Sequence, residues 1–334
     1  MTDGIRLTRR SGLKLAGAGA IAALATRRTE IGAVAQSATP AAGGGVLAGL
    51  GLPELTITVT DSSFEGVGGD IDAGTYFVHV ANTMQESAQV VFMQLPEGMT
   101  SADLMSMLGG GASGTPSAGD VSATPIAEEG DGGAPPEWFY SVAIPGGVGL
   151  GPGQEGQFVI TLQPGNYIVW GEDPSAPQQP VDLSVAGGTA TPMADVSGMP
   201  QAGFTIMEVA TDDGYAFEYD GGLISGSQVV EVTNNSDQPH FVEFDLLPEG
   251  TTKADVDALM QSFMTGTPAS GGLSEEDFQP VHFIGTQSAG TTQWHEISFD
   301  PGTYAVTCWI PDIARGGAPH AMEGMYDVLT ISEA

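Results

Sequence analysis

The chain has 334 residues, 41% of them apolar, with 49 glycines, 22 prolines, a single cysteine and a formal net charge of −33. This apolar content can bury real cores and excludes wholesale disorder, the length suits two modest domains with linkers, and a lone cysteine excludes an intramolecular disulfide. So dense a negative charge repels nucleic acid and anionic lipid; it either favours basic proteins and multivalent cations as partners or, the favoured reading, serves solubility in a salty or acidic exterior.

At the N-terminus, "TRRSGLKLAGAGAIAALA" (Thr8 to Ala25) sets Arg9 and Arg10 ahead of a weakly apolar stretch. It resembles a twin-arginine export signal, with Gly12 where Phe usually stands. The stretch from Leu13 to Ala25 is shorter than the roughly 20 residues of a spanning helix, so it reads as a cleaved signal that leaves no transmembrane helix behind. Ala23-Leu24-Ala25 and Ala33-Val34-Ala35 both have the small-x-small form of a cleavage site. The second is favoured, giving a signal over 1–35 and a flexible linker over 36–51. Removing 1–35 takes away six basic and two acidic residues, so Lys253 and Arg315 remain against 39 acidic residues, a net charge of −37. The expected location is secreted, periplasmic or at the extracytoplasmic cell surface. Export of folded protein suits a chain that acquires its cofactor inside the cell.

From 52 to 186 the pattern is of short strands. "LTITVT", "TYFVHV", "QVVFMQL", "QFVITL" and "NYIVW" are rich in β-branched and aromatic residues and are bounded by Gly, Pro, Asn and Asp. One helical patch, "SADLMSML", follows Thr100, a candidate N-cap. A Gly/Pro/Ser/Thr-rich linker over 187–202 then leads to a second copy over 203–334. The duplication is direct. "VANTMQESAQVVFMQLPEGMTSADL" (Val80 to Leu104) aligns with "VTNNSDQPHFVEFDLLPEGTTKADV" (Val232 to Val256) at an offset of 152. "LQPGNYIVW" aligns with "FDPGTYAVT" at an offset of 137, so the first copy carries about fifteen more residues between these segments. The second helical patch, "KADVDALMQSF", follows Thr252. Each copy therefore reads as an all-β Greek-key sandwich with one short helical insertion.

The copies differ where chemistry could reside. "CWIPDIARGGAPHAMEGM" (Cys308 to Met325) combines the single thiol with an imidazole and thioethers, the soft and borderline donors that copper accepts in both oxidation states. Strand parity places Tyr304, Val306 and Cys308 on one face and His240, Val242 and Phe244 on another that reads as core. Ala88 stands in the first copy where His240 stands in the second, Gly171 where Cys308 stands, and nothing in the first copy matches "PHAMEGM".

These segments resemble the cupredoxins, the blue-copper family. "NNSDQPHFVEF" is similar to the amicyanin and plastocyanin segment that carries the first histidine ligand. "PGTYAVTC" resembles the turn and strand that end in the ligand cysteine, and "PHAMEGM" resembles the pseudoazurin segment with the second histidine and the axial methionine. The resemblance implies two tandem cupredoxin-like domains, with one copper per chain held in the second by His240, Cys308, His320 and Met325. Eleven residues separate Cys308 from His320, more than in common blue-copper loops. Each doubling of loop length costs only about 0.6 kcal/mol in closure entropy. Pro311, Pro319 and Gly316-Gly317 are expected to fold the excess outward as an excursion carrying Arg315.

Other candidates are secondary. If Pro301-Gly302 turns a hairpin, His295 lies nearly opposite Thr307 and beside Cys308, a candidate supporting or substitute ligand, but a core histidine hydrogen-bonded to backbone is the favoured reading. Met322 competes with Met325 for the axial place, and His79 and His282 read as solvent-facing. The resulting expectation is an exported, non-enzymatic protein that transfers single electrons, or stores or delivers copper, with a basic redox partner. The alternative is a metal-free extracellular pair of β-sandwiches acting in binding or in the cell envelope. The oligomeric state is left open.

Overall fold

A computed structural model of the protein describes residues 45–108, 137–171, 178–187, 198–266 and 272–333. The expected signal over 1–35, most of the 36–51 linker and most of the 187–202 linker lie outside these residues. In the first module the strands are β1 (Glu54–Val59), β2 (Phe64–Glu65), β3 (Gly69–Asp72), β4 (Gly74–Asn82), β5 (Ala88–Gln94), β6 (Gly146–Leu150), β7 (Glu155–Leu162), β8 (Gly165–Trp170) and β9 (Val181–Ala186). The second has β10 (Phe204–Ala210), β11 (Tyr215–Gly221), β12 (Gly226–Asn234), β13 (His240–Leu247), β14 (Gln279–Gln287), β15 (Thr292–Phe299), β16 (Gly302–Thr307), β17 (Pro311–Asp312), β18 (Ala318–Pro319) and β19 (Tyr326–Ile331).

The expected helical patches form α1 (Ser101–Leu108) and α2 (Lys253–Thr265). Both start on the expected threonine. Thr252 and Asp255 close a reciprocal capping box, and the Asp103 carboxylate accepts from the Thr100 N–H at 2.9 Å in the same way. Gly266 then ends α2 in the left-handed region, and the helix lays Val256, Leu259 and Met260 on the sandwich.

Two sheets stack face to face. One runs β11-β10-β12-β15-β7-β4-β1-β2 and the other β19-β16-β13-β14-β6-β5-β8-β9-β3. Each module contributes one half of each sheet; in the first sheet β1 pairs with β4 and β10 with β12 in parallel, at equivalent places in the two copies. The all-β class with two Greek-key sandwiches is therefore observed. The modules are joined by more than a linker, because both sheets continue across the junction: β7 pairs with β15, its own repeat, and β6 pairs with β14. At the centre of this pseudo-twofold arrangement the rings of Phe158 and His295, equivalent positions in the two copies, stack at 5.3 Å.

The junction depends on glycine. A Cβ on Gly147 would strike the Val90 carbonyl oxygen, and one on Gly285 would lie 2.6 Å from the Gly147 backbone. This close approach explains why "GGVGL" forms a buried central strand despite its weak strand propensity.

Each sandwich has its own core. Ile57, Val78, Phe92, Phe158 and Tyr167 fill the first, and Ile206, Val230, Phe244, Phe299 and Val306 fill the second. A further cluster, Leu47, Phe77, Val159, Val229 and Trp294, covers the junction. Here the end of the 36–51 stretch departs from the flexible linker expected of it. Leu47 is fully buried, and its N–H donates to Glu296 Oε2 at 3.2 Å. The apolar residues Leu47, Leu50 and Leu52 give this segment a face to bury.

Candidate metal centre

β13 begins with His240, and β16 ends one residue before Cys308. The two strands are antiparallel neighbours, with Phe244 opposite Val306 and Glu243 opposite Thr307. Both side chains are therefore delivered to the same end of the second sandwich, as strand parity requires. The long loop solves the remaining problem by pairing on itself. Pro311–Asp312 and Ala318–Pro319 form a miniature hairpin, closed by a turn of 3₁₀ helix and by Gly316 and Gly317 with φ of 83° and 82°. The excess residues are thus folded out, with Arg315 on the excursion. Its guanidinium lies 3.5 Å from the Asp312 carboxylate and donates to the Asp213 carbonyl.

Beyond the hairpin the chain returns to Cys308. His320 N–H donates to Ile310 C=O at 2.9 Å, Ala321 N–H to Cys308 C=O at 2.7 Å, Met325 N–H to His320 C=O at 2.9 Å, and Cys308 N–H to Met325 C=O at 3.2 Å. This knot fixes the backbone of the last three expected ligands. Cys308 Sγ lies 3.7 Å from Nδ1 of His240 and 3.7 Å from Nδ1 of His320. One donor atom from each of the three residues falls within 4.8 Å of the others, and all three side chains are fully buried. Met325 is also fully buried, whereas Met322 is only partly so.

The polar neighbours select the tautomers. Ser236 Oγ donates to Asn234 Oδ1 at 2.7 Å, so it accepts from His240 Nε2–H at 2.7 Å. Gln238 uses its amide N–H on Asp312 Oδ1 at 2.9 Å, so its carbonyl oxygen accepts from His320 Nε2–H at 3.2 Å. Both imidazoles therefore carry the proton on Nε2 and turn the Nδ1 lone pair toward the sulfur. Burial holds both rings neutral. His240 lies well below the usual imidazole range, through desolvation and the neighbouring His320. His320 is lowered to about 4 by desolvation, against the pull of Asp312 and Asp237. Two neutral imidazoles and a thiol sulfur with outer hydrogen bonds in place suit a soft or borderline metal and fit copper.

Several supporting residues escape a reading by sequence motif. Tyr215, on β11, packs its ring 4.8 Å from His240 and 4.4 Å from His320 and donates its hydroxyl to Asp237 at 2.9 Å. Tyr140, in the turn that precedes β6 of the first module, donates to the Pro311 C=O of the loop between Cys308 and His320 at 2.7 Å. Ser236 and Gln238 could have been found, because they flank His240 in the very turn where the first copy has Met84 and Glu86.

β15 and β16 belong to different sheets and the chain arches between layers at Pro301-Gly302 instead of forming a hairpin, so His295 is the core histidine of the favoured reading. His295 Nε2 is 2.9 Å from Gln293 Oε1 in the junction core. His282 is not solvent-facing: its Nε2 meets Ser298 C=O at 2.9 Å and its ring packs on Phe299. His79 sits at the surface of β4, 3.3 Å from Glu155.

No protein-family model and no curated protein matches the chain. Among solved structures, auracyanin A of Chloroflexus aurantiacus, a blue copper protein, matches 40% of this chain and 97% of its own at 14% identity and a TM-score of 0.24. A multicopper oxidase of Pediococcus acidilactici matches 84% of this chain at 11% identity and a TM-score of 0.24, and the match spans 59% of that protein. A copper nitrite reductase of Nitrosomonas europaea matches 84% of this chain and 93% of its own at 11% identity and a TM-score of 0.22. An oxidase and a reductase stand among the matched structures, against the expectation of a non-enzymatic protein.

Proposed function

We propose that the second module holds a single copper ion between His240 Nδ1, Cys308 Sγ and His320 Nδ1, with Met325 as a weak axial ligand, and that the protein passes single electrons through it. The supporting observation is the convergence of the three buried donor atoms within 4.8 Å, with both outer ring nitrogens already engaged. Bound copper would supply the one-electron couple. The protein's part is to keep both imidazoles neutral, to hold the sulfur between them and to exclude water. Ser236, Gln238 and the Asp312 hairpin fix the rings, so ligand movement between oxidation states is small, which favours electron transfer over storage or delivery. The first module binds no metal at the equivalent place.

In this reading the chain is exported by the twin-arginine route, works outside the cytoplasm and meets a basic redox partner drawn by its acidic surface. No helix among the described residues is long and apolar enough to cross a membrane. The test is to add copper(II) to the purified mature protein and record its visible spectrum and metal content. Intense blue or green colour at one copper per chain is expected. A colourless protein without tight copper would overturn the proposal and favour a metal-free binding module.

A further inference from the structure

The interior of the second module contains a carboxyl group that the copper site does not use. Glu208, on β10, is completely buried. Its Oε2 accepts from Gln287 Nε2 at 2.9 Å, while its Oε1 has no partner, and Gln287 Oε1 has none either. Two buried acceptors left without a donor in one acid–amide pair are costly, and a proton on Glu208 is the donor that the pair lacks. The first module shows that the scaffold does not require this pair. Val59 sits opposite Asn82 as Glu208 sits opposite Asn234, and Leu150 sits opposite Ala88 as Gln287 sits opposite His240. The polar pair and the ligand histidine thus occur in the same module, while their counterparts Val59, Leu150 and Ala88 are all apolar.

Gln287 also connects the carboxyl to the metal centre. It is the direct cross-strand partner of His240, so their side chains leave the sheet on the same face, and Gln287 reaches across the sandwich to Glu208. The titratable side chains that β11 and β13 turn toward this interior are Tyr215, Tyr219 and His240; β12 presents Val230, Val232 and Asn234. Burial pushes both tyrosines up and His240 down, so all three stay neutral through the physiological range. Desolvation pushes Glu208 up to about 8 against the hydrogen bond from Gln287.

Building on the copper reading above, we propose that Glu208 makes electron transfer at this site proton-coupled: its carboxylate takes up one proton when the site gains one electron from a one-electron donor, and releases it when that electron leaves. A thiolate with copper(II) carries one more positive charge than the same thiolate with copper(I). That charge, in the same weakly screened interior, favours the ionised carboxylate in the oxidised form only. The proton acceptor is the Glu208 carboxylate itself, and solvent supplies the proton. The reduction potential should therefore fall with rising pH over a window between the Glu208 values of the oxidised and reduced forms, and level off above about pH 8.

The experiment compares the wild-type mature chain with Glu208→Gln. In the metal-free protein at pH 7, infrared spectroscopy should show the carbonyl absorption of a buried protonated carboxyl that is lost in Glu208→Gln. The wild type should also lose stability relative to the variant as pH rises from about 4.5 to about 8. A raised folded-state value means that the native chain binds the extra proton across this interval and loses its advantage when the proton leaves. In the copper-loaded protein, the potential of the wild type should vary with pH below about 8 and that of Glu208→Gln should not. If Glu208→Gln fails to fold, Glu208→Val with Gln287→Leu copies the first module and makes the same comparison. A metal-free spectrum without the protonated carboxyl overturns the proton site. A potential that is flat in the wild type, or equally pH-dependent in the variant, overturns the coupling. A chain that takes up no copper overturns the copper reading and the coupling together, and its metal content alone distinguishes that failure.

Discussion

The two modules share one topology and differ at one end of their interiors. Asn82 and Asn234 hold the same turn in both, with side-chain amides donating to the Leu150 carbonyl in one and the Gln287 carbonyl in the other. Around that common anchor the first module has Ala88, Gly171, Val59 and Leu150, and the second has His240, Cys308, Glu208 and Gln287. The sandwich is therefore a scaffold that is stable with or without polar groups at this end, and the chemistry resides in a few substitutions and one reshaped loop. The difference also assigns the first module a role. Its Tyr140, in the turn before β6, reaches the loop between Cys308 and His320, so the first module braces the candidate metal centre of the second.

The sharpest way to break this comparison is to remove the sulfur. Cys308→Ser should abolish the visible absorption of the copper-loaded protein, because charge transfer from that sulfur produces the colour, while circular dichroism of the β-sandwich stays unchanged. Persistence of the same colour would place the site elsewhere. A smaller loss should follow Gln238→Leu, which frees His320 Nε2 and Asp312 at once. Copper affinity should fall about tenfold to a hundredfold in a competition titration, the usual cost of losing an outer hydrogen bond to a ligand.

Next comes Met325→Leu, which should retain copper and shift its potential, because the axial sulfur mainly tunes that quantity. Tyr140→Phe tests the brace. Losing one hydrogen bond should cost about 1 kcal/mol in chemical unfolding and change the electron paramagnetic spectrum of the oxidised site, although the substituted residue lies in the other module. The smallest effect is expected for His295→Phe, which copies Phe158 at the junction. Stability should change by no more than about 1 kcal/mol, and the spectrum should stay as it was.

Much of this arrangement is legible in the sequence, for identifiable reasons. The repeat offsets exposed His240 and Cys308 as departures from an apolar counterpart, and strand parity put them on core faces. The prolines and the glycine pair between Cys308 and His320 marked an excursion, and the structure shows it as a hairpin of two residues on each side. The residues that stayed hidden act across long separations. Tyr140 meets Pro311 over 171 positions, and Gln287 meets Glu208 over 79. The two readings of His295 stayed open because sequence does not tell a hairpin within one sheet from an arch between two, and the arch leaves it a core residue. The continuity of both sheets across the junction was hidden for a related reason. β6 and β14 pair beside the close approach of Gly147 and Gly285, residues that a propensity reading takes for loop.

The claim on which the rest depends is that metal binding belongs to the second module alone, at three named atoms. A crystal structure of the copper-loaded chain, with anomalous scattering recorded at the copper edge, tests it directly. One peak is expected, bonded to Nδ1 of His240, Sγ of Cys308 and Nδ1 of His320, with the first module empty. A peak elsewhere, or none in crystals grown with copper, would contradict it.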